Sequence, residues 1–219
     1  AVKVVQPAEG GIVREILVKE GDAVTAGQVL VRLDPTVATA EGQSGRAVLA
    51  ARSLELRRVD AQLRGASLTK RDGEDEALFA QVQSGAAARV RAHTEALRQE
   101  QATLARMEGE LQSARETLEK LQSTLPSYQR SAEAYRKLSS ENLVGQLQAE
   151  EKQRELQEKQ QDARAQQATV RSLESSVQAQ GARVSGITAE YEKQLQAERL
   201  DLINEIYRLQ AETSKQGFR

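Results

Sequence analysis

The chain has 219 residues, of which only 3% are aromatic and none is Trp, so it lacks the bulky side chains of a thick globular core and suits long, thin helices packed along a narrow seam. Its 31 basic and 32 acidic residues are interleaved to a net charge of −1. No basic stripe exists to neutralise a phosphate backbone, and nucleic acid is excluded as a partner on that ground.

The first predicted element is a small β module over residues 1–37. Its stretch from Val4 to Thr36, VVQPAEGGIVREILVKEGDAVTAGQVLVRLDPT, is rich in Val and Ile and punctuated by Pro7, Gly10, Gly11, Gly21, Gly27 and Pro35, which predicts short strands separated by tight turns. Val29, Val31 and Leu33 alternate with Leu30, Arg32 and Asp34, the pattern of a half-buried strand. Gly21 and Gly27 sit where the chain must reverse, because glycine reaches φ > 0 at no steric cost.

A short helix is expected over residues 38–66, with Leu49, Leu56 and Leu63 seven apart and Val59 between them. A loop over 67–74 follows, carrying Asp72-Gly73. From 75 to 138 the periodicity is sustained: Val90, Leu97, Leu104, Leu111, Leu118 and Leu125 recur every seven residues, with His93, Glu100, Met107, Ala114 and Leu121 at the intervening d positions. A repeat held this long imposes a left-handed coiled coil, and a helix of some 60 residues spans on the order of 90 Å. Pro126 predicts a kink or short break. His93 and Glu100 are two potential ligands where a metal site needs three or four, so a register-setting role is the better reading of that polar pair.

Residues 139–145, Ser-Ser-Glu-Asn-Leu-Val-Gly, interrupt the heptads with turn-formers and predict the tip of a helical hairpin, with Asn142 and Gly145 able to adopt left-handed geometry. Its apolar pair, Leu143-Val144, reads equally as a cap folded onto the hairpin and as a binding surface. The return helix is expected over 146–213. Leu156, Ala163, Val170, Val177, Val184 and Tyr191 are spaced by sevens, but Lys159, Gln166 and Gln180 thin the d column. Past Tyr191 the pattern shifts to Leu195, Leu202, Ile206 and Leu209, a stutter that unwinds the supercoil locally. Charged faces such as Glu150-Glu151-Lys152 read as solvated surface.

The β stretch carries G-x-V-x6-V-x2-G-D-x-V-x2-G-Q-x-L through Gly11, Val13, Val18, Gly21, Asp22, Val24, Gly27, Gln28 and Leu30, flanked by Pro7 and by Leu33-Asp34-Pro35-Thr36. In this it resembles the first half of a lipoyl or biotinyl hammerhead, most closely that of HlyD-like membrane fusion proteins, the periplasmic adaptors. A lipoyl or biotinyl carrier needs a lysine just past Leu33, where Asp34-Pro35-Thr36-Val37 stands instead, so swinging-arm chemistry and its cofactor are absent. The resemblance implies a mainly α fold: half a lipoyl (barrel-sandwich hybrid) domain, a short leading helix and a long antiparallel coiled-coil hairpin. It places residues 214–219 as a truncated link to a second lipoyl half.

The same resemblance implies a periplasmic protein of a Gram-negative bacterium, anchored to the inner membrane through an upstream segment. The longest apolar run here, Ala47 to Ala51, is well short of the roughly 18 residues of a membrane span. Its implied partners are an inner-membrane ABC transporter, a TolC-like outer-membrane channel, further copies of itself in a ring of six, and a secreted protein substrate of a type I system. The residues it points to for channel docking are Tyr135, Arg136, Leu138, Ser139, Asn142, Leu143 and Gly145, while Gly11, Gly21, Asp22 and Gly27 shape the lipoyl turns. Efflux-type adaptors carry Arg, Leu and Ser at set spacing in the tip; aligned on Leu138, this chain has Ala134 and Gly145 at the other two places, which favours secretion over multidrug efflux.

With one His, no Cys and carboxylates spread along helix surfaces, no acid–base or nucleophilic cluster can be assembled, and an enzyme is not expected. A carrier subunit would be revealed by an added lipoyl or biotinyl mass. A tethering coiled coil would cross-link between chains, whereas cysteines at 121 and 163 would cross-link within a single hairpin.

Overall fold

The computed structural model of the chain describes residues 4–6 and 11–216, so Pro7, Gly10 and the expected link residues 217–219 lie outside the description. The elements run β1 (Val13–Ile16), β2 (Val31–Leu33), α1 (Pro35–Leu63), α2 (Glu76–Ser140) and α3 (Gln146–Gln216). They divide into two units, Ala1–Ala86 with Gln194–Arg219, and Ala87–Lys193.

In the first unit β1 and β2 form an antiparallel ribbon, with Val13 opposite Leu33, Glu15 opposite Arg32 and Ile16 opposite Val31, and a bulge between Val13 and Glu15. Two turns of one design join the ribbon's strands. In Lys19-Glu20-Gly21-Asp22 the Asp22 N–H donates to the Lys19 carbonyl at 3.1 Å, and an Asp22 carboxylate oxygen accepts the Lys19 N–H at 2.8 Å. In Thr25-Ala26-Gly27-Gln28 the Gln28 N–H donates to the Thr25 carbonyl at 3.1 Å, and its side-chain oxygen accepts the Thr25 N–H at 3.0 Å. Gly21 and Gly27 stand third in their turns with φ of 96° and 88°, the type II signature. The Gly-Asp and Gly-Gln pairs thus supply a left-handed corner and the acceptor that closes it.

Gly11 serves differently: it has no positive φ, but a Cβ there would meet Leu33 Cδ1 at 3.2 Å, so it permits close packing and does not make a turn. Among the described residues neither face of the ribbon is covered, and Val13, Ile16, Val24, Val29 and Val31 are all exposed. The expected half-buried strand is therefore not seen here, since a two-stranded ribbon has too little surface to bury its own faces.

Helix α1 begins at Pro35, three residues before the expected start, because proline's missing N–H costs nothing in the first turn. It ends in a Schellman motif: Ala66 N–H donates to the Ala61 carbonyl at 2.8 Å, Gly65 N–H to the Gln62 carbonyl at 3.1 Å, and Gly65 has φ of 64°. Helix α2 opens on Asp75, whose carboxylate accepts the Leu78 N–H at 2.7 Å as an N-cap.

Leu54 of α1 packs with Phe79 and Val82 of α2, flanked by Leu68 and Leu78. Val59 is fully buried, at 0% exposure. The Leu49, Leu56 and Leu63 stripe is only half-buried, and the deepest α1 residues are Leu54, Arg58, Val59 and Ala61. Arg58, 3% exposed, is held by Glu55 of its own helix and by Glu198 of α3. Two further pairs, Arg52 with Glu205 at 2.9 Å and Asp60 with Arg199 at 2.8 Å, join α1 to α3. Because α1 meets both α2 and α3, one apolar stripe is not enough to describe its buried surface.

The second unit is a two-helix hairpin. Every a and d position of α2 from His93 to Ala132 is buried or half-buried, in alternating steps of four and three, as the heptads require. On α3 the same steps run from Lys152 to Tyr191. Leu111, Ala114 and Val170 form the buried centre, with Leu118, Leu173 and Val177 against it. Helix α2 passes through Pro126 as one continuous helix, contrary to the expected break: a proline forfeits one backbone hydrogen bond, and the seam residues on either side, Leu125 and Tyr128, keep their inward places.

Candidate functional site at the closed end of the hairpin

Helix α2 ends and α3 begins within five residues, and the backbone there is fully specified. Leu143 N–H donates to the Leu138 carbonyl at 2.9 Å and Asn142 N–H to the Ser139 carbonyl at 3.0 Å, a second Schellman motif, with Asn142 in the left-handed position at φ 59°. Asn tolerates that region better than other residues with a Cβ. Gly145, the other expected left-handed residue, has no positive φ. It caps α3 instead, its carbonyl accepting the N–H of Gln148 at 3.1 Å.

This geometry turns the site residues in two directions. Leu138 and Ser139 are half-buried, and their carbonyls are consumed by the cap. Tyr135 faces the seam, with the Lys152 ammonium 5.7 Å from its ring centre, and Tyr128 and Lys159 repeat that arrangement one heptad away, again at 5.7 Å. The Lys152 pKa is raised chiefly by its hydrogen bond to Glu155, a carboxylate that also attracts it through space. Arg136, Asn142 and Gly145 are exposed. Leu143 is 67% exposed and Val144 beside it is half-buried, so the two residues of the apolar pair differ in their exposure.

Sequence reasoning missed Leu147. It is 80% exposed on the first turn of α3, four residues from Leu143. The signal was available, because Leu147 is a leucine off both heptad columns. Arg136, Ser139, Asn142, Leu143, Gln146 and Glu150 line an open groove of about 1060 Å³. Such a surface offers apolar projections beside hydrogen-bonding groups of both signs, which suits a protein partner.

Of the lipoyl-turn residues, Gly21, Asp22 and Gly27 close the two turns described above and Gly11 packs against Leu33. Away from the tip, the polar pair His93 and Glu100 is separated by its partners. His93 stacks on Tyr191 with ring centres 4.0 Å apart, while Glu100 accepts from Gln180 and pairs with Arg183 at 3.5 Å. Among the described residues no helix is long and apolar enough to cross a membrane.

No family model matches the chain. A stretch of 39 residues is 67% identical to the type I secretion system membrane fusion protein PrsE of Rhizobium meliloti (strain 1021); it makes up 18% of this chain and 9% of that relative's length. Among solved structures, the soluble domain of LipC, a membrane fusion protein of a type I secretion system, superposes with a TM-score of 0.80 over 99% of this chain and 85% of that one, at 20% identity. The periplasmic adaptor EmrA gives a TM-score of 0.47 over 94% of this chain and 57% of that one, at 16% identity. In fold over nearly its whole length, and in sequence over one short stretch, this chain is similar to membrane fusion proteins of type I secretion systems.

Proposed function

We propose that the chain is the adaptor of a type I secretion system, working in the periplasm between an inner-membrane ABC transporter and a TolC-like outer-membrane channel so that a protein substrate crosses in one passage. The ribbon and its two turns are half of a lipoyl-like domain, and several copies, six by resemblance, form the ring. The tip is the channel-docking surface: Leu143 with Arg136, Asn142 and Gly145 makes contact, and Tyr135, Leu138 and Ser139 hold the turn in shape behind them.

The observation that carries this reading is the exposed leucine held on a turn closed by a Schellman motif, in a chain whose fold matches the soluble domain of LipC. An exposed apolar side chain on a rigid support is what a docking surface needs, since little conformational freedom is lost when it binds. The test is complementation. An exporter system lacking this adaptor secretes again when the gene is supplied, and Leu143→Asp abolishes that rescue while circular dichroism and melting of the hairpin stay unchanged. Normal secretion by the variant would remove the docking role from the tip.

A further inference from the structure

The hairpin seam is repetitive, and repetition alone does not choose a register. Leucines at seven-residue spacing on α2 meet valines and alanines at seven-residue spacing on α3, so a slip of one heptad still brings leucine against valine. The turn does not forbid such a slip. Moving the pairing by seven residues shifts the centre of the turn by half of that, from near Asn142 towards Gly145, a glycine well able to sit in a turn.

Two glutamines break the repetition. Gln166 and Gln180 occupy d positions of α3 two heptads apart, and each reaches across the seam to a main-chain carbonyl of α2: Gln166 Nε2 to Ala114 at 2.9 Å and Gln180 Nε2 to Glu100 at 3.1 Å. Gln180 is only 7% exposed and also donates to the Glu100 carboxylate at 2.5 Å. The acceptors are two heptads apart as well, so both contacts report the same register. The partners also differ from their neighbours in the d column. Ala114 is small, so the Gln166 side chain has room beside it, and Glu100 adds a carboxylate. One heptad away on either side the facing residues are Met107, Leu121 or His93, whose bulk would compete for the space the glutamine takes in the seam.

We propose that Gln166 and Gln180 are register locks, which restrict α3 to a single alignment on its own α2 at some expense in apolar packing. In the slipped alignments Gln180, buried in the native seam, and the half-buried Gln166 face Met107, Leu121 or His93 and lose their main-chain acceptors, and a desolvated amide without a partner is disfavoured. The lock therefore acts mainly against wrong pairings, as a polar residue does at a core position of other coiled coils. It also fixes the place of the turn, since a one-heptad slip would move it by about 5 Å along the helices.

The test uses the cysteine-free full chain with paired thiols. Ala114 packs with Val170, so one heptad closer to the tip Leu121 faces Ala163 in the native register. Leu121→Cys with Ala163→Cys reports that alignment, and Leu121→Cys with Val170→Cys reports the slipped one. In the parent only the 121–163 pair oxidises within the chain. In Gln166→Leu/Gln180→Leu the 121–170 product rises at least tenfold while the melting temperature holds or increases. Absence of the slipped product, or a lower melting temperature with the native product alone, would overturn the proposal. The single variants guard against a double variant that loses its helices: each is expected to show a smaller slipped fraction, and native-only products in both would overturn it equally.

Discussion

The two units bury different things. The first packs Leu54 with Phe79 and Val82, buries Val59 completely, and threads buried or half-buried ion pairs between α1 and α3. The second has a seam two residues wide, in which Lys152, Lys159, Gln166 and Gln180 take d positions that leucine would fill in a stronger coil. Three helices in contact enclose a volume, whereas two helices enclose only a line. A volume rewards bulk, and a line rewards alignment. Both units are accordingly held by apolar burial, and in the second directional contacts specify which residues meet.

The sharpest way to break that contrast is truncation in each core. Phe79→Ala should cost about 3–5 kcal/mol of stability and Leu111→Ala about 2 kcal/mol, because an enclosed cavity collapses less completely than one open on both sides. Denaturant unfolding followed by circular dichroism measures both, and equal losses would end the distinction. Smaller effects should come from the two Schellman caps. Gly65→Ala forces a Cβ into left-handed geometry with nothing within 4 Å of it, so the expected cost is backbone strain alone, about 1 kcal/mol. Asn142→Ala should cost about half of that, since Asn142 already carries a Cβ in that region and loses only its local hydrogen-bonding tolerance.

The smallest effects are titrations, and their signs are opposite in the two units. Glu74 is held below its ordinary value of 4.5 chiefly by the Arg71 backbone N–H, which outweighs the opposing effect of desolvation, and the Arg57 guanidinium lowers it further. A lowered carboxyl pKa contributes stability that is present above 4.5 and is lost as pH falls through the lowered folded value. Lys152 is raised above 10.5 by Glu155, so its contribution is present below 10.5 and is lost as pH rises through the raised folded value. Both side chains are half-buried at the surface and still reached by solvent, so each effect is small and falls with added salt. Melting curves of Glu74→Gln should flatten only at the acid end and those of Lys152→Met only at the alkaline end; a change at the other end would contradict the assignment.

Much of this arrangement was legible in the residues because it is written as periodicity or as turn chemistry. The heptads from His93 to Leu125 and from Leu156 to Tyr191, the stutter beyond Tyr191, and the Gly21 and Gly27 corners all appear in the folded chain, whereas Val90, the first residue of the expected column, is 43% exposed. Features that depend on the number of neighbours did not show. Arg58 is buried because two helices supply Glu55 and Glu198, and no pattern within α1 announces that. At the candidate site Asn142 took the left-handed place and Gly145 the cap, an assignment that depends on which carbonyls the last turn of α2 leaves open. Pro126 signalled a kink or short break, and the helix runs through it unbroken. Leu147 lies on the first turn of α3, two residues past the turn-formers that mark the tip, so loop chemistry does not single it out.

The distribution of tyrosine has a practical consequence. The chain has four tyrosines and no tryptophan. Tyr128 and Tyr135 lie beneath lysine ammonium groups in the distal seam, Tyr191 is stacked on His93 further along it, and Tyr207 alone stands well out in solvent. Ultraviolet absorbance and intrinsic emission of the unlabelled protein therefore come mostly from chromophores wedged between α2 and α3. Parting of those two helices can be followed optically, in real time and without any dye.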